Sequence, residues 1–241
     1  MPIYMDVHIV RGAVARAVAI AHSRDLMLQE QHECKCMTYW FDEERESIFC
    51  LIEARNKDAV VEMHNEAHGL IPHKIIEVSS NLVEAFLGRI YDPEDAEITK
   101  DGLKVFSDPS FRILLVTKTD DPILLQHRLG AEEAEELLSR LNHIIRKNIA
   151  HFSGSEVEGE GSGIIVSFTS AAKAVHCALA VQKELSATDA ERIGFRISLN
   201  SGEPIEEGNR LFGATIQLAQ HFCAAARRPP RNRSAGRRDR C

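Results

Sequence analysis

Apolar and polar residues alternate in IYMDVHI near the start of the chain, which puts Ile3, Met5, Val7 and Ile9 on one face of a strand. The Ala-rich run VARAVAIAHSRDLMLQE then carries Val14, Val18 and Ala21 near helical spacing. Two β-branched and aromatic runs follow, CMTYWFD at 36–42 and SIFCLIEA at 47–54. The charged turn EERE joins them into a hairpin. Asn56 has the chemistry of an N-cap for KDAVVEMHNEAHG, and Gly69 suits the residue that ends that helix. HKIIEV at 73–78 closes the series as a strand. The order β-α-β-β-α-β is the split-βαβ, ferredoxin-like plan.

A short helix in NLVEAFLGRI and a turn-rich connector come next, and the periodicity then restarts. FRILLVTK (111–118) is an apolar strand, and EEAEELLSRLNHIIRKNIAH (132–151) is an amphipathic helix with Leu137, Leu141, Ile144, Ile145 and Ile149 on one face. SGSEVEGEGSGIIVSF reads as a hairpin, SAAKAVHCALAVQKELS as a helix, IGFRISLNSG as a strand and ATIQLAQHFCAAA as a last helix. This is again βαββαβ order, although the halves share no sequence motif. The expected fold is α+β, with two ferredoxin-like units at 1–92 and 111–226, a linker at 93–110 and an Arg-rich tail at 227–241.

Composition narrows the class. A chain of 241 residues that is 44% hydrophobic and 27% charged has a globular protein's make-up. It has no apolar run long enough for a membrane span and no basic leader, so a cytoplasmic location is expected. The six cysteines (34, 36, 50, 177, 223 and 241) are sparse and irregularly placed, which favours reduced thiols over a disulfide framework. The tail RRPPRNRSAGRRDRC holds seven arginines and one aspartate, a net of +6, which leaves −13 of the overall −7 on the other 226 residues. A body of that sign repels nucleic acid, so only non-specific contact by the tail is expected. Lacking apolar periodicity, the tail reads as an unstructured and unselected extension.

The chemistry of the first unit lies in its histidines. His64 and His68 stand four apart on one helix, a spacing that can chelate a divalent ion such as nickel, copper or zinc. It is also the spacing of an ordinary solvated helix face. Glu66 points away from both, so the base of an H-E-x-x-H protease is missing. His8 and His22, the latter just ahead of Asp25, widen the set. Strand parity raises an objection: if both helices cover the Ile3–Met5–Val7 face, His8 faces the open side of the sheet with Tyr4 and Asp6. Cys34 and Cys36 are too close for a redox C-x-x-C pair. Cys50 reads as a small core residue, and the aromatics Tyr39, Trp40 and Phe41 as packing. No nucleophile can be paired with an oriented base, which counts against a small monooxygenase or isomerase.

MPIYMDVHIV, AHSRDLMLQEQHECKCMTYWFDEE, FCLIEA and VVEMHNEAHGLIPHKIIEV together resemble a small ferredoxin-like family whose founding members bind nickel and whose members pair as dimers. The resemblance covers residues 1–92. It implies nickel or another divalent transition metal as the ion, His8, His22, Asp25, His64 and His68 as the metal residues, and a homodimer through the open sheet face, where the hairpin aromatics would bury a partner sheet. Two loop positions depart from the family pattern: Glu46 stands where a glycine is usual, and Arg11 where a proline is common.

From Phe111 onward, GIIVSFTSAAKAVHCALAVQ and GEPIEEGNRLFGATIQLA resemble the class III adenylate/guanylate cyclase homology domain. Cyclase chemistry needs two carboxylates to hold two divalent ions over the triphosphate. The resemblance puts the first at Val116–Thr117–Lys118 and the second at Gly161–Ser162–Gly163, and neither place has an Asp. The transition-state pair falls on Gln217 and His221, and the base-reading lysine on Glu158. Asp120 and Asp121 lie in the loop beyond the strand, too far on to substitute. The acidic Glu156, Glu158 and Glu160 would repel a triphosphate, and GEGSG has no following G-K-[ST]. The expected function is therefore non-enzymatic binding of a nickel-type metal, fused to a catalytically inactive, truncated cyclase-like domain. The alternative is a metal-free dimerising signalling scaffold. Metal binding that fails below about pH 6, where imidazole protonates, would favour the first.

Overall fold

The computed structural model describes residues 1–157 and 163–226. The first unit runs β1 (Ile3–Ile9), α1 (Ala15–Leu28), β2 (Cys34–Asp42), β3 (Ser47–Ala54), α2 (Lys57–Ala67) and β4 (Lys74–Val78). Its sheet is antiparallel in the order β2-β3-β1-β4, so the first strand is central, as the ferredoxin-like plan requires. Asn56 caps α2 as expected, its side chain accepting from the Ala59 N–H at 2.9 Å. Removing that cap with Asn56→Ala is expected to cost about 1 kcal/mol, read by denaturant unfolding, because one helix donor loses its partner. Glu46, in the turn position that favours glycine, takes a φ of 54°. Its carboxylate accepts from the Gly12 N–H at 3.0 Å, which ties together the two loops that depart from the family pattern.

The chain continues through α3 (Ser80–Leu87), a small ribbon of β5 (Glu97–Ile98) and β6 (Lys104–Val105), and then β7 (Arg112–Lys118). The expected linker is not free. Phe106 is buried against Tyr39 with ring centroids 4.1 Å apart, and Phe41 N–H donates to Asp108 O. The second unit adds α4 (Pro122–Leu129), α5 (Ala131–His151), β8 (Ser155–Val157), β9 (Ile165–Phe168), α6 (Ala171–Glu184), α7 (Ala187–Arg192), β10 (Arg196–Gly202) and α8 (Gly213–Ala225). Its sheet order β10-β7-β9-β8 repeats the first unit's topology. The short helices α4 and α7 escaped the periodicity reading. Asp121, expected only as a loop acid, caps α4 by accepting from Ile123 and Leu124 N–H. Glu158, Glu160, Gly161, Ser162 and the Arg-rich tail at 227–241 lie outside the described residues.

The largest departure concerns the faces of the first sheet. Helices α1 and α2 cover the Tyr4–Asp6–His8 side, where Val18, Tyr39, Phe41, Ile48, Ile52, Val60 and Met63 form a core. The Ile3–Met5–Val7 side packs instead against the second unit. Met5, Val7, Trp40, Phe49, Leu51 and Ile76 share one apolar cluster with Phe86 and Leu87 of α3, Leu114 and Val116 of β7, and Phe212. The parity objection to His8 is thereby overturned. So is the open face expected for a homodimer: it is occupied in cis, because burying that much apolar surface against a tethered neighbour is strongly favourable. Buried Arg112 fastens the junction, donating from Nε to Phe86 O at 3.0 Å and from NH2 to Leu87 O at 3.1 Å, the carbonyls that end α3. Ser47 Oγ donates to Glu203 at 2.9 Å across the same boundary. No helix among the described residues is long and apolar enough to cross a membrane.

Candidate metal centre

Helix α2 buries Ala59, Val60, Met63, His64 and Ala67, a stripe at three- and four-residue spacing. His64 belongs to that stripe, so the solvated-face reading of its pair with His68 does not hold for it. Its ring is wedged between carboxylates from two other elements. Nε2 lies 2.9 Å from Asp6 Oδ2 on β1, and Nδ1 lies 3.1 Å from Asp25 Oδ1 on α1. His68, one turn on, brings Nε2 to 3.1 Å from His64 Nδ1 and 3.2 Å from Asp25 Oδ1. Asp25 Oδ1, His64 Nδ1 and His68 Nε2 thus form a nearly equilateral triangle of donor atoms.

Charge in this pocket is set by burial and by the ion pairs. Burial opposes the charged form of His64, but the field of Asp6 and hydrogen bonds to Asp25 and Asp6 outweigh it and raise the imidazolium pKa to about 10. Burial likewise disfavours the Asp25 carboxylate, yet the donors His64 and His68 hold its pKa below the usual range. Asp6 is lowered too, again against its burial, by the nearby charges of His64 and His8 and by the hydrogen bond with His64. Protonated, His64 donates one N–H to each carboxylate.

The five expected site residues do not all converge. Asp25, His64 and His68 meet in the triangle. His8 stands beside it, its ring centroid 5.0 Å from that of His64 and 6.2 Å from that of His68. His22 turns away, with Nε2 3.5 Å from Asp92 and its ring 5.0 Å from Tyr39. Glu66 also leaves the site, pairing with His32 at 3.0 Å. Asp6 was missed: on a strand read as half-exposed it looked like a solvent-facing acid. A D-x-H pair on a strand facing two helix histidines was the available signal.

The arrangement fits a divalent transition metal. Donors at about 2.0–2.2 Å from such an ion stand about 3 Å apart, which is the edge length of the triangle. Asp6 on the far nitrogen of His64 is placed as the carboxylate of a carboxylate–histidine–metal relay would be, where it would fix the ring and raise its basicity. His8 is only 3% exposed, and neither of its ring nitrogens has a hydrogen-bond partner among the described residues.

The model of the family described as "Nickel responsive protein SCO4226-like" matches residues 4–78. Those residues form an SCO4226-like domain. The solved structure of SCO4226 from Streptomyces coelicolor A3(2) is 30% identical, covering 32% of this chain and 94% of that one with a TM-score of 0.30. A stretch of 95 residues, 37% of this chain, is 28% identical to "Putative adenylate cyclase 3" of Rhizobium meliloti (strain 1021). The chain spans only 16% of that relative's length. A bacterial light-regulated adenylyl cyclase is similar over 48% of this chain and 70% of its own, at 20% identity and a TM-score of 0.41. The chain thus joins an SCO4226-like domain to a cyclase-like one.

In the cyclase-like unit the nearby acids are already engaged. Asp120 pairs with Arg128 at 3.0 Å and Arg196 at 3.6 Å, and Asp121 caps α4. A cleft of about 940 Å³ between α3, β8, β9 and α8 includes Gln217, with Glu156 and Glu207 among its walls.

Proposed function

We propose that the SCO4226-like domain holds a divalent transition-metal ion, nickel or a close relative, on Asp25, His64 and His68, and that the protein acts as a non-enzymatic metal-binding module. The donor triangle carries this reading: three ligand atoms from two helices lie at metal-ligand spacing in a buried pocket, with Asp6 oriented behind one of them. His8 closes the pocket on the sheet side, and His22 stays outside. The cyclase-like unit is the module's packing partner, covering the sheet face that a second copy would otherwise cover. Its ordinary catalytic places hold Lys118, Gln217 and His221, and its loop acids are occupied, so no cyclic nucleotide is expected from ATP or GTP with magnesium or manganese. Detectable turnover would overturn that part.

A metal-free scaffold is the second reading, and the continuous apolar core between the units favours it. Calorimetric titration of the full chain with nickel separates the two. Stoichiometric binding that falls more than about 100-fold in His68→Ala is expected, since even loss of an outer-shell partner costs about 10–100-fold. Because His64 must give up its Nδ1 proton to ligate, binding should release a proton and strengthen as pH rises. Absence of stoichiometric nickel in the folded wild type sinks the metal reading.

A further inference from the structure

We infer that the first unit contains a second metal subsite, made by Asp6, His8, Cys50 and the Nε2 nitrogen of His64, that takes a thiophilic divalent cation of the zinc type. The inference rests on the triangle being a metal site, because His64 serves both. Its ligand atoms lie within 4.8 Å of one another. In a four-coordinate site with nitrogen and oxygen donors at about 2.0–2.2 Å and sulfur at about 2.3 Å, neighbouring donors stand about 3.3–3.7 Å apart. The cluster therefore has to contract by about 1 Å, within the reach of side-chain rotation.

The fold places these groups together for reasons of register. Asp6 and Cys50 are directly paired across β1 and β3, so their side chains stand on the same face, and His8 is the next residue of β1 on that face. Helix α2 lays His64 over them. The relay from Asp6 to His64 explains Asp6 without a second ion, but it leaves His8 unexplained. Buried imidazole normally finds partners for its ring nitrogens. Here the side chain is buried, Nε2 comes no nearer than 3.4 Å to Asp6 Oδ1, and both nitrogens are unbonded among the described residues. An ion between His8, Asp6 and Cys50 would satisfy it.

Charge closes as well. Two divalent ions bring four positive charges; Asp6, Asp25, the Cys50 thiolate and a bridging His64 imidazolate bring four negative ones. The Cys50 proton and both His64 protons leave to solvent.

The test is metal analysis and cobalt(II) spectroscopy on the full chain, with zinc as the competing ion. Wild type should bind two equivalents and show thiolate-to-cobalt charge-transfer absorption. Cys50→Ser should bind one equivalent and lose that absorption. His68→Ala should keep the absorption and lose the other equivalent. Cys50→Ala, with folding checked by circular dichroism, repeats the measurement should the serine variant be misfolded. Two equivalents retained without Cys50, or a single equivalent in wild type with no thiolate absorption, overturns the second subsite and leaves the triangle standing. No stoichiometric metal at all in wild type removes both.

Discussion

His64→Ala should cost about 3–5 kcal/mol of folding stability and abolish metal binding by the SCO4226-like domain, the largest effect expected of any single substitution in that domain. The imidazolium lies between two carboxylates whose side chains are at most 4% exposed. Removing it leaves two buried acids without a cation, and they must either protonate or open the pocket. The pH profile separates this from simple loss of packing. A group whose pKa is raised from 6.5 to about 10 contributes stability below its ordinary pKa, and that contribution is lost as pH climbs through the raised value. Asp25 and Asp6 are lowered, so their contribution is present above about pH 4 and lost on acidification. Metal-free wild type should therefore be most stable between about pH 4 and 6.5, weakening on both sides, whereas the variant should lose the alkaline slope of His64 and lose stability as rising pH ionises its unpaired buried acids. Denaturant melts from about pH 3 to about pH 10 decide it. A loss below about 1 kcal/mol, with an unchanged profile, would mean that the ion pairs contribute little.

The second large effect is expected far from the metal. Leu114→Ala in the cyclase-like unit should cost about 2–5 kcal/mol, because Leu114 is fully buried in the core shared by the two units. It should also be visible in the SCO4226-like domain. The chain has one tryptophan, Trp40, wholly buried in that same core with the Arg89 guanidinium 4.7 Å from its ring. Its emission should shift to the red as the junction loosens, before the domain unfolds. Leu26→Ala, at an exposed position on α1, should stay within about 0.5 kcal/mol and leave the emission unmoved. A Leu114→Ala variant with unchanged Trp40 emission and a small stability loss would mean that the units do not share a core.

Much of this protein is local, and local features are legible along the chain. β1 falls on the residues its alternation predicts and β3 on its β-branched and aromatic run, Asn56 caps α2, and the two βαββαβ orders follow from apolar period and turn chemistry. Asp25, His64 and His68 could be nominated from spacing and from family motifs. What sequence could not supply was the environment of each face. Alternation says that the two sides of β1 differ, and a polar side reads as a wet one. Here both sides are dry: the Tyr4–Asp6–His8 side lies under helices, and the Ile3–Met5–Val7 side lies under a second sheet. Asp6 and His64 are 58 residues apart, and Ser47 and Glu203 are 156 apart. Neither pairing leaves a trace in local periodicity, because a strand registers only that its faces are unlike. Which layer covers each face, and whether a buried acid meets a cation there, is settled by long-range packing, where the cost of an unpaired buried charge selects the arrangement that pairs it.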